Sequence, residues 1–205
     1  MGKTDWVIVA LKTTSLRVIP ELISPLLGEN TRVLTIMNGM YDDDLVDLMR
    51  KFSKSENELP CAAIYGGIAF ICSSRISASM VHHSATDGLL LGGLAAMSVG
   101  GNKQEALSIL EELWSPTKVP FQSEQSLALA RWKKNCWNIP FSSVNVALQG
   151  QLTIEDIVKQ PSLRALCDEI MDETIDIANA DLIARGETET QLLGIKEVRF
   201  CFVKL

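Results

Sequence analysis

Lys134, Asn138 and Ser142 stand four residues apart within residues 131–142. In a helix that spacing sets them on one slowly drifting stripe. An ammonium, an amide and a hydroxyl on a shared face can converge on a small polar ligand. The same spacing also describes a half-buried helix whose polar residues simply face water. Trp137 and Phe141 form the neighbouring stripe and supply an apolar anchor. Pro140 has no N–H to give the carbonyl of Cys136, so the helix is expected to bend or weaken there.

The chain that must position these groups has 205 residues, enough for one large domain or two small ones with a sizeable core. Apolar residues make up 47% and charged residues 21%, as in soluble globular proteins and unlike disordered ones. A net charge of −6, with Lys and Arg scattered, argues against nucleic acid or an anionic membrane surface as partner. Residues 88–101 are the most continuous apolar stretch, glycine-rich and too short to span a bilayer. The first residues carry Lys3, Thr4 and Asp5 and no signal-peptide pattern. Cys61, Cys72, Cys136, Cys167 and Cys201 are odd in number and mostly within apolar runs, which fits buried free thiols in a reducing compartment. No CxxC or paired Cys/His spacing supports a metal site. The expected location is cytoplasmic, or an organelle stroma.

Residues 6–11 form a continuous, β-branched-rich run, the mark of a strand buried on both faces of a parallel sheet. Ser15 can cap a helix reaching Leu27 with Leu16, Ile19, Ile23 and Leu26 on one face, bent or broken by Pro20 and Pro25. A second strand is expected at 32–38, completing a βαβ crossover. Asp42, Asp43 and Asp44 suit the positive end of a helix dipole better than a metal, because consecutive helical residues point in different directions. Residues 61–71, 76–81 and 89–92 read as strands, with turns at Gly66-Gly67 and Asp87-Gly88. Helix follows at 102–114, a short extended piece at 119–122, and then helices at 124–149, 153–159 and 161 to about 184. Alternation of Val198, Phe200 and Phe202 suggests a final strand at 197–205. The domain boundary is expected near residue 123, giving 1–122 as an α/β domain and 123–205 as a helical one.

Gly2-Lys3-Thr4 is not a P-loop, since that motif needs a strand and a further glycine before it. His82 and His83 are adjacent on an extended segment and point to opposite sides, so they do not share a metal. No G-x-G-x-x-G occurs in the chain. Yet Lys12 leaves the C-terminal end of the first strand and Asn38 that of the second. Ligands bind at that rim in open α/β sheets.

Val9-Ala10-Leu11-Lys12-Thr13-Thr14, Met37-Asn38-Gly39-Met40 and the stretch from Arg131 to Ser142, in that order and at those separations, resemble the ketopantoate reductase (2-dehydropantoate 2-reductase) family. The segment from Gly66 to Arg75, together with His83, Gly88 and Gly92, resembles the same family's strand region. The resemblance runs over about residues 5–185 and implies an incomplete Rossmann-like α/β domain with a parallel sheet, followed by a partial α-helical domain. It implies NADPH as cofactor and a small 2-keto acid, 2-dehydropantoate, as substrate on the route to pantothenate and coenzyme A, bound in a cleft between the domains, and leaves room for a homo-oligomer. Position by position, Lys134 matches the family's general acid. Asn138 matches a substrate-binding asparagine, Asn38 the asparagine at the cofactor–substrate junction, and Lys12 a lysine near the nicotinamide half of the cofactor. Ser142 stands where a second substrate-binding asparagine is common. The glycine-rich start and the family's later helices have no counterpart, so the chain looks truncated at both ends. A catalytically inactive remnant that pairs with a partner, or a reductase of another 2-keto acid, are the alternatives.

Overall fold

The computed structural model describes residues 3–53 and 58–188, and beyond them 190, 192–194 and 198; the side chains of residues 72 and 84–87 lie outside the description. The chain divides into two compact units, Met1–Leu127 and Ala128–Leu205.

The first unit is a five-stranded sheet in the order β1 (Trp6–Val9), β2 (Arg32–Ile36), β3 (Ala63–Arg75), β4 (Val81–Met97), β5 (Phe121–Glu124). β1, β2 and β3 run parallel, β4 is antiparallel to β3, and β5 is parallel to β4. The parallel sheet expected of a Rossmann-like half is therefore present, with an antiparallel hairpin making it mixed. Helices α1 (Ile19–Ile23), α2 (Asp42–Phe52) and α3 (Lys103–Trp114) lie along the crossovers. Alternation along the strands splits the core in two. Val7, Val9, Val33 and Ile64 face α1 and α2 through Ile19, Ile23, Leu45 and Met49. Leu34 and Tyr65 face Ala106 and Leu110 of α3.

Several sequence expectations need correction. β1 ends at Val9 and is not buried on both faces: Val7 and Val9 are buried but Ile8 is 50% exposed. The reason is topological, since β1 is the edge strand and α3 lies against β4 and β5 at the far end of the sheet. The helix expected from Ser15 to Leu27 is three short pieces, 3-10 over Thr13–Val18, then α1, then 3-10 over Ser24–Leu26. Ser15 caps nothing; Pro20 and Pro25 instead each sit in the first turn of a new piece, where a missing N–H costs no hydrogen bond. Ile19 and Ile23 do face the core.

The three strands expected over 61–92 are two long ones. Gly66 and Gly67 are not a turn but pair with Gly93 and Gly92 inside the ladder. They make room for neighbours: a Cβ on Gly67 would come within 3.0 Å of the Ile36 side chain. The reversal falls instead at Ile76–Met80, which was expected to be strand, closed by the Ile76 N–H donating to the Met80 carbonyl at 2.9 Å. Gly88 is not a turn either; it takes φ of +63° at an irregularity in the β3–β4 ladder. β2 pairs with β3 only as far as Gly67, and β5 with β4 only from Leu90 to Gly93. Beyond them β3 and β4 continue as a two-stranded ribbon with Ile71 and Val81 exposed. The short extended piece expected at 119–122 is β5, starting two residues later.

Helix starts follow the polar residues that satisfy their first N–H groups. Asn102 accepts from the N–H of Gln104 and Glu105 at α3, and the three aspartates occupy the first turn of α2.

The second unit is helical: α4 (Leu127–Ala147), α5 (Ile154–Lys159) and α6 (Pro161–Ala184). Thr153 and Asp156 form a reciprocal capping box at α5. The core joins Cys136, Phe141 and Val144 of α4 to Ile157 of α5 and to Cys167, Met171, Ile175 and Leu182 of α6. Most of the strand expected at 197–205 lies outside the described residues. Val198 is described, is buried in this core, and donates its N–H to the Gly194 carbonyl as a helical turn does. Among the described residues no helix is long and apolar enough to cross a membrane.

Candidate active site

Helix α4 runs unbroken through Pro140, with the Trp137 and Phe141 rings 4.6 Å apart at their centroids. Phe141 is buried, so the apolar stripe anchors the helix as expected. Lys134 and Asn138 are half-buried and Ser142 is exposed. The gradient follows from helix geometry: each four-residue step overshoots a full turn by about 40°. The stripe therefore winds out of the protected zone as it descends. Burial pushes the Lys134 ammonium down from 10.5 to about 8, and the positive charge of Arg131 adds to the effect. Arg131 is itself only 2% exposed and stands one turn before Lys134 on the same helix. It was inside the stretch singled out from sequence, yet nothing in its type marked it as acting on Lys134. The i, i+3 spacing was the available signal.

The rim at the C-terminal ends of β1 and β2 holds the other two residues. Val9 pairs with Thr35, so Lys12 and Asn38, each three residues further on, leave the sheet side by side. The two loops touch: a Cβ on Gly39 would stand 3.8 Å from the Thr13 methyl. Gly39 has φ of +101°, which a residue with a side chain rarely adopts. Lys12 and Asn38 are both exposed. Beneath them, Thr35 is fully buried and donates its hydroxyl to the Tyr65 carbonyl at 3.2 Å, while the buried Tyr41 hydroxyl donates to Thr35 Oγ1 at 3.0 Å. This chain of hydrogen bonds ties the residue after the Asn38-Gly39-Met40 loop to two strands. Sequence reasoning overlooked Tyr41, whose partner is a threonine inside a strand. Tyr41→Phe, which leaves Thr35 Oγ1 without that donor, is expected to cost about 1 kcal/mol in chemical denaturation.

Burial pushes Cys61 up to about 12 and Cys136 up to about 11, so neither is a thiolate near neutral pH. These two and Cys167 are free and buried, as expected.

Lys134, Asn138 and Ser142 thus belong to one helix of the second unit, and Lys12 and Asn38 to one sheet rim of the first. An ammonium with lowered proton affinity beside an amide suits proton transfer to a polarised oxygen. A cation and an amide on a β-strand rim suit one end of a nucleotide cofactor.

The ketopantoate reductase PanE/ApbA family model matches residues 1–96, and the ketopantoate reductase PanE/ApbA C-terminal model matches residues 126–198. Together they cover most of the chain, which belongs to the ketopantoate reductase family. A 2-dehydropantoate 2-reductase from Nostoc sp. is 28% identical over 178 residues, covering 84% of this chain and 51% of that protein. The crystal structure of a 2-dehydropantoate 2-reductase from Geobacter metallireducens aligns with a TM-score of 0.70 and 31% identity, over 87% of this chain and 54% of that one. D-mandelate dehydrogenase, solved with NADH and anilino(oxo)acetate, shares the fold at a TM-score of 0.72 with 19% identity, over 96% of this chain and 55% of that one. The chain therefore spans about half the length of the relatives it matches.

Proposed function

We propose that the chain carries the substrate-protonating part of an NADPH-dependent 2-keto acid reductase, with 2-dehydropantoate as substrate. The observation that carries this reading is the half-buried Lys134, its proton affinity lowered to about 8, with Asn138 one turn further along α4. NADPH, when bound, supplies the hydride. Lys134 gives its proton to the carbonyl oxygen of the substrate, and an acid whose pKa lies near the working pH does this efficiently. Asn138 hydrogen-bonds the substrate, Ser142 binds at the solvent end of the stripe, and Asn38 orients the reacting groups from the sheet rim. Lys12 and Asn38 fit the nicotinamide end of the cofactor; the glycine-rich loop that holds a pyrophosphate occurs nowhere in the 205 residues. On this reading the cofactor half gives way to the substrate half at about residue 123, four residues before the division between the two compact units.

The test is NADPH oxidation followed by absorbance with 2-dehydropantoate and a panel of other 2-keto acids. Lys134→Ala should lower turnover at least about 100-fold. Unchanged turnover in that variant removes Lys134 from its role. A different best substrate reassigns the keto acid while leaving the chemistry in place. A second reading is favoured by the edge strand β1 with its exposed Ile8: a non-catalytic chain that pairs with a partner through that edge. Absence of NADPH binding in a thermal-shift titration would support it.

A further inference from the structure

Trp132 lies two residues before Lys134 on α4, so the two side chains leave the helix about 160° apart around its axis. The Trp132 indole N–H donates to Asp181 Oδ2 on α6 at 2.8 Å. Arg185 Nε, one turn further along, donates to the same oxygen at 2.8 Å. Burial alone would raise the Asp181 carboxyl, but the hydrogen bonds from Trp132 and Arg185 outweigh it and hold the group below the usual carboxylate range. Asp181 is thus a fixed, charged acceptor braced by its own helix. The contact links residues 49 apart in sequence, and it grips α4 on the side away from Lys134.

A helix held on its back by apolar contacts alone can roll by some degrees at little cost, because dispersion contacts have no directional preference. A charge-assisted hydrogen bond has direction and resists such a roll. We propose that Asp181 is a positioning residue for Lys134, acting through the indole of Trp132 to fix the rotation of α4. The inference rests on Lys134 being the proton donor. The charged groups near that turn, among the described residues, include Arg131 and Lys133 on α4 itself and Asp181 on α6, which meets the helix at Trp132 and pairs with Arg185 just past the end of α6.

Two readouts test it on the full chain: the pH midpoint of Lys134 acylation by an N-hydroxysuccinimide ester, followed by peptide mass spectrometry, and kcat and KM for keto acid reduction. Trp132→Phe keeps the ring and loses the N–H; Asp181→Leu keeps the size and loses the acceptor. Each should move the midpoint from about 8 in the wild type toward the ordinary lysine value, by about one unit as water reaches the amine. Each should lower kcat about tenfold with KM within about twofold, and the double variant should do no more than either single one. Asp181→Asn, which keeps an oxygen at the same position, should restore most of both. The proposal is overturned if Trp132→Phe, folded by circular dichroism, acylates with the wild-type midpoint. It also fails if the double variant shows the product of the single effects, or if Asp181→Asn behaves like Asp181→Leu. Should the wild type reduce no keto acid, acylation still decides the positioning role, and the failure belongs to the proton-donor assignment. Should Lys134→Ala abolish turnover while Trp132→Phe leaves the midpoint unmoved, the donor stands and the positioning role falls.

Discussion

Lys134→Met is expected to make the chain more stable at pH 7 while removing the proton donor proposed above. The folded chain holds this ammonium in a place that disfavours charge, first through burial and then through Arg131, so its pKa is about 8 against an ordinary 10.5. Below pH 8 both folded and unfolded chains carry the proton, and the full penalty weighs on the folded one. Between pH 8 and 10.5 the unfolded chain binds the proton and the folded chain does not, so wild-type stability rises with pH across that window. Methionine has a similar length and no charge. After discounting for partial exposure, the gain at pH 7 should be about 1–2 kcal/mol, vanishing toward pH 10.5. Thermal unfolding at pH 7 and pH 10 measures both ends. A variant no more stable at pH 7 than the wild type would mean that the ammonium is fully hydrated. Arg131→Gln, which removes the second cause and keeps the first, should raise the Lys134 pKa part of the way. Stability given up at one residue is a usual mark of a group held for chemistry.

Leu110→Ala carries the largest expected loss. Leu110 is completely buried on α3, and its side chain fills the space that Gly92 leaves open on β4: a Cβ at Gly92 would meet Leu110 Cδ2 at 2.9 Å and Phe121 Cε2 at 2.8 Å. Truncation removes three carbons from the interface between α3 and the sheet and leaves a void, at a cost of about 3 kcal/mol in urea unfolding. Gly92→Ala alone overpacks the same spot and should cost about 1–2 kcal/mol. The double variant should be less unstable than the sum, because the new methyl occupies part of the void. A loss under about 1 kcal/mol for Leu110→Ala would show that α3 does not seal the second face.

Much of this architecture could be read from residue types, for local reasons. α3 and α5 start at Asn102 and Thr153, side chains that accept their first N–H groups, and the sequence places those starts within a residue. The prolines at 20 and 25 foretell the broken first helix because each lacks an N–H and suits only a first turn. The hairpin is not legible locally, because Gly66-Gly67 looks like a turn when only nearest neighbours are considered. Across the ladder those glycines face Gly93 and Gly92, and their small size serves packing. The one-sided burial of β1 is not legible either, because its composition records an apolar strand and cannot record that the strand lies at an edge. On α4 the stripe of Lys134, Asn138 and Ser142 follows from spacing alone. Its gradient of exposure and the effect of Arg131 depend on what surrounds the helix. The hydrogen bond from Trp132 to Asp181 joins residues 49 apart, a relation no local pattern announces.

The β3–β4 pairing also dictates an order of assembly. Arg75 meets Val81 across a short reversal, whereas β1 meets β2, β2 meets β3 and β4 meets β5 only after a helical crossover has closed. Closing a short loop sacrifices little chain entropy, and a hairpin forms in about 1–10 μs. The two long strands should come together first and act as a template, with β2 zipping onto one flank and β5 onto the other. β1, which among the described strands pairs only with β2, is then the last strand to join.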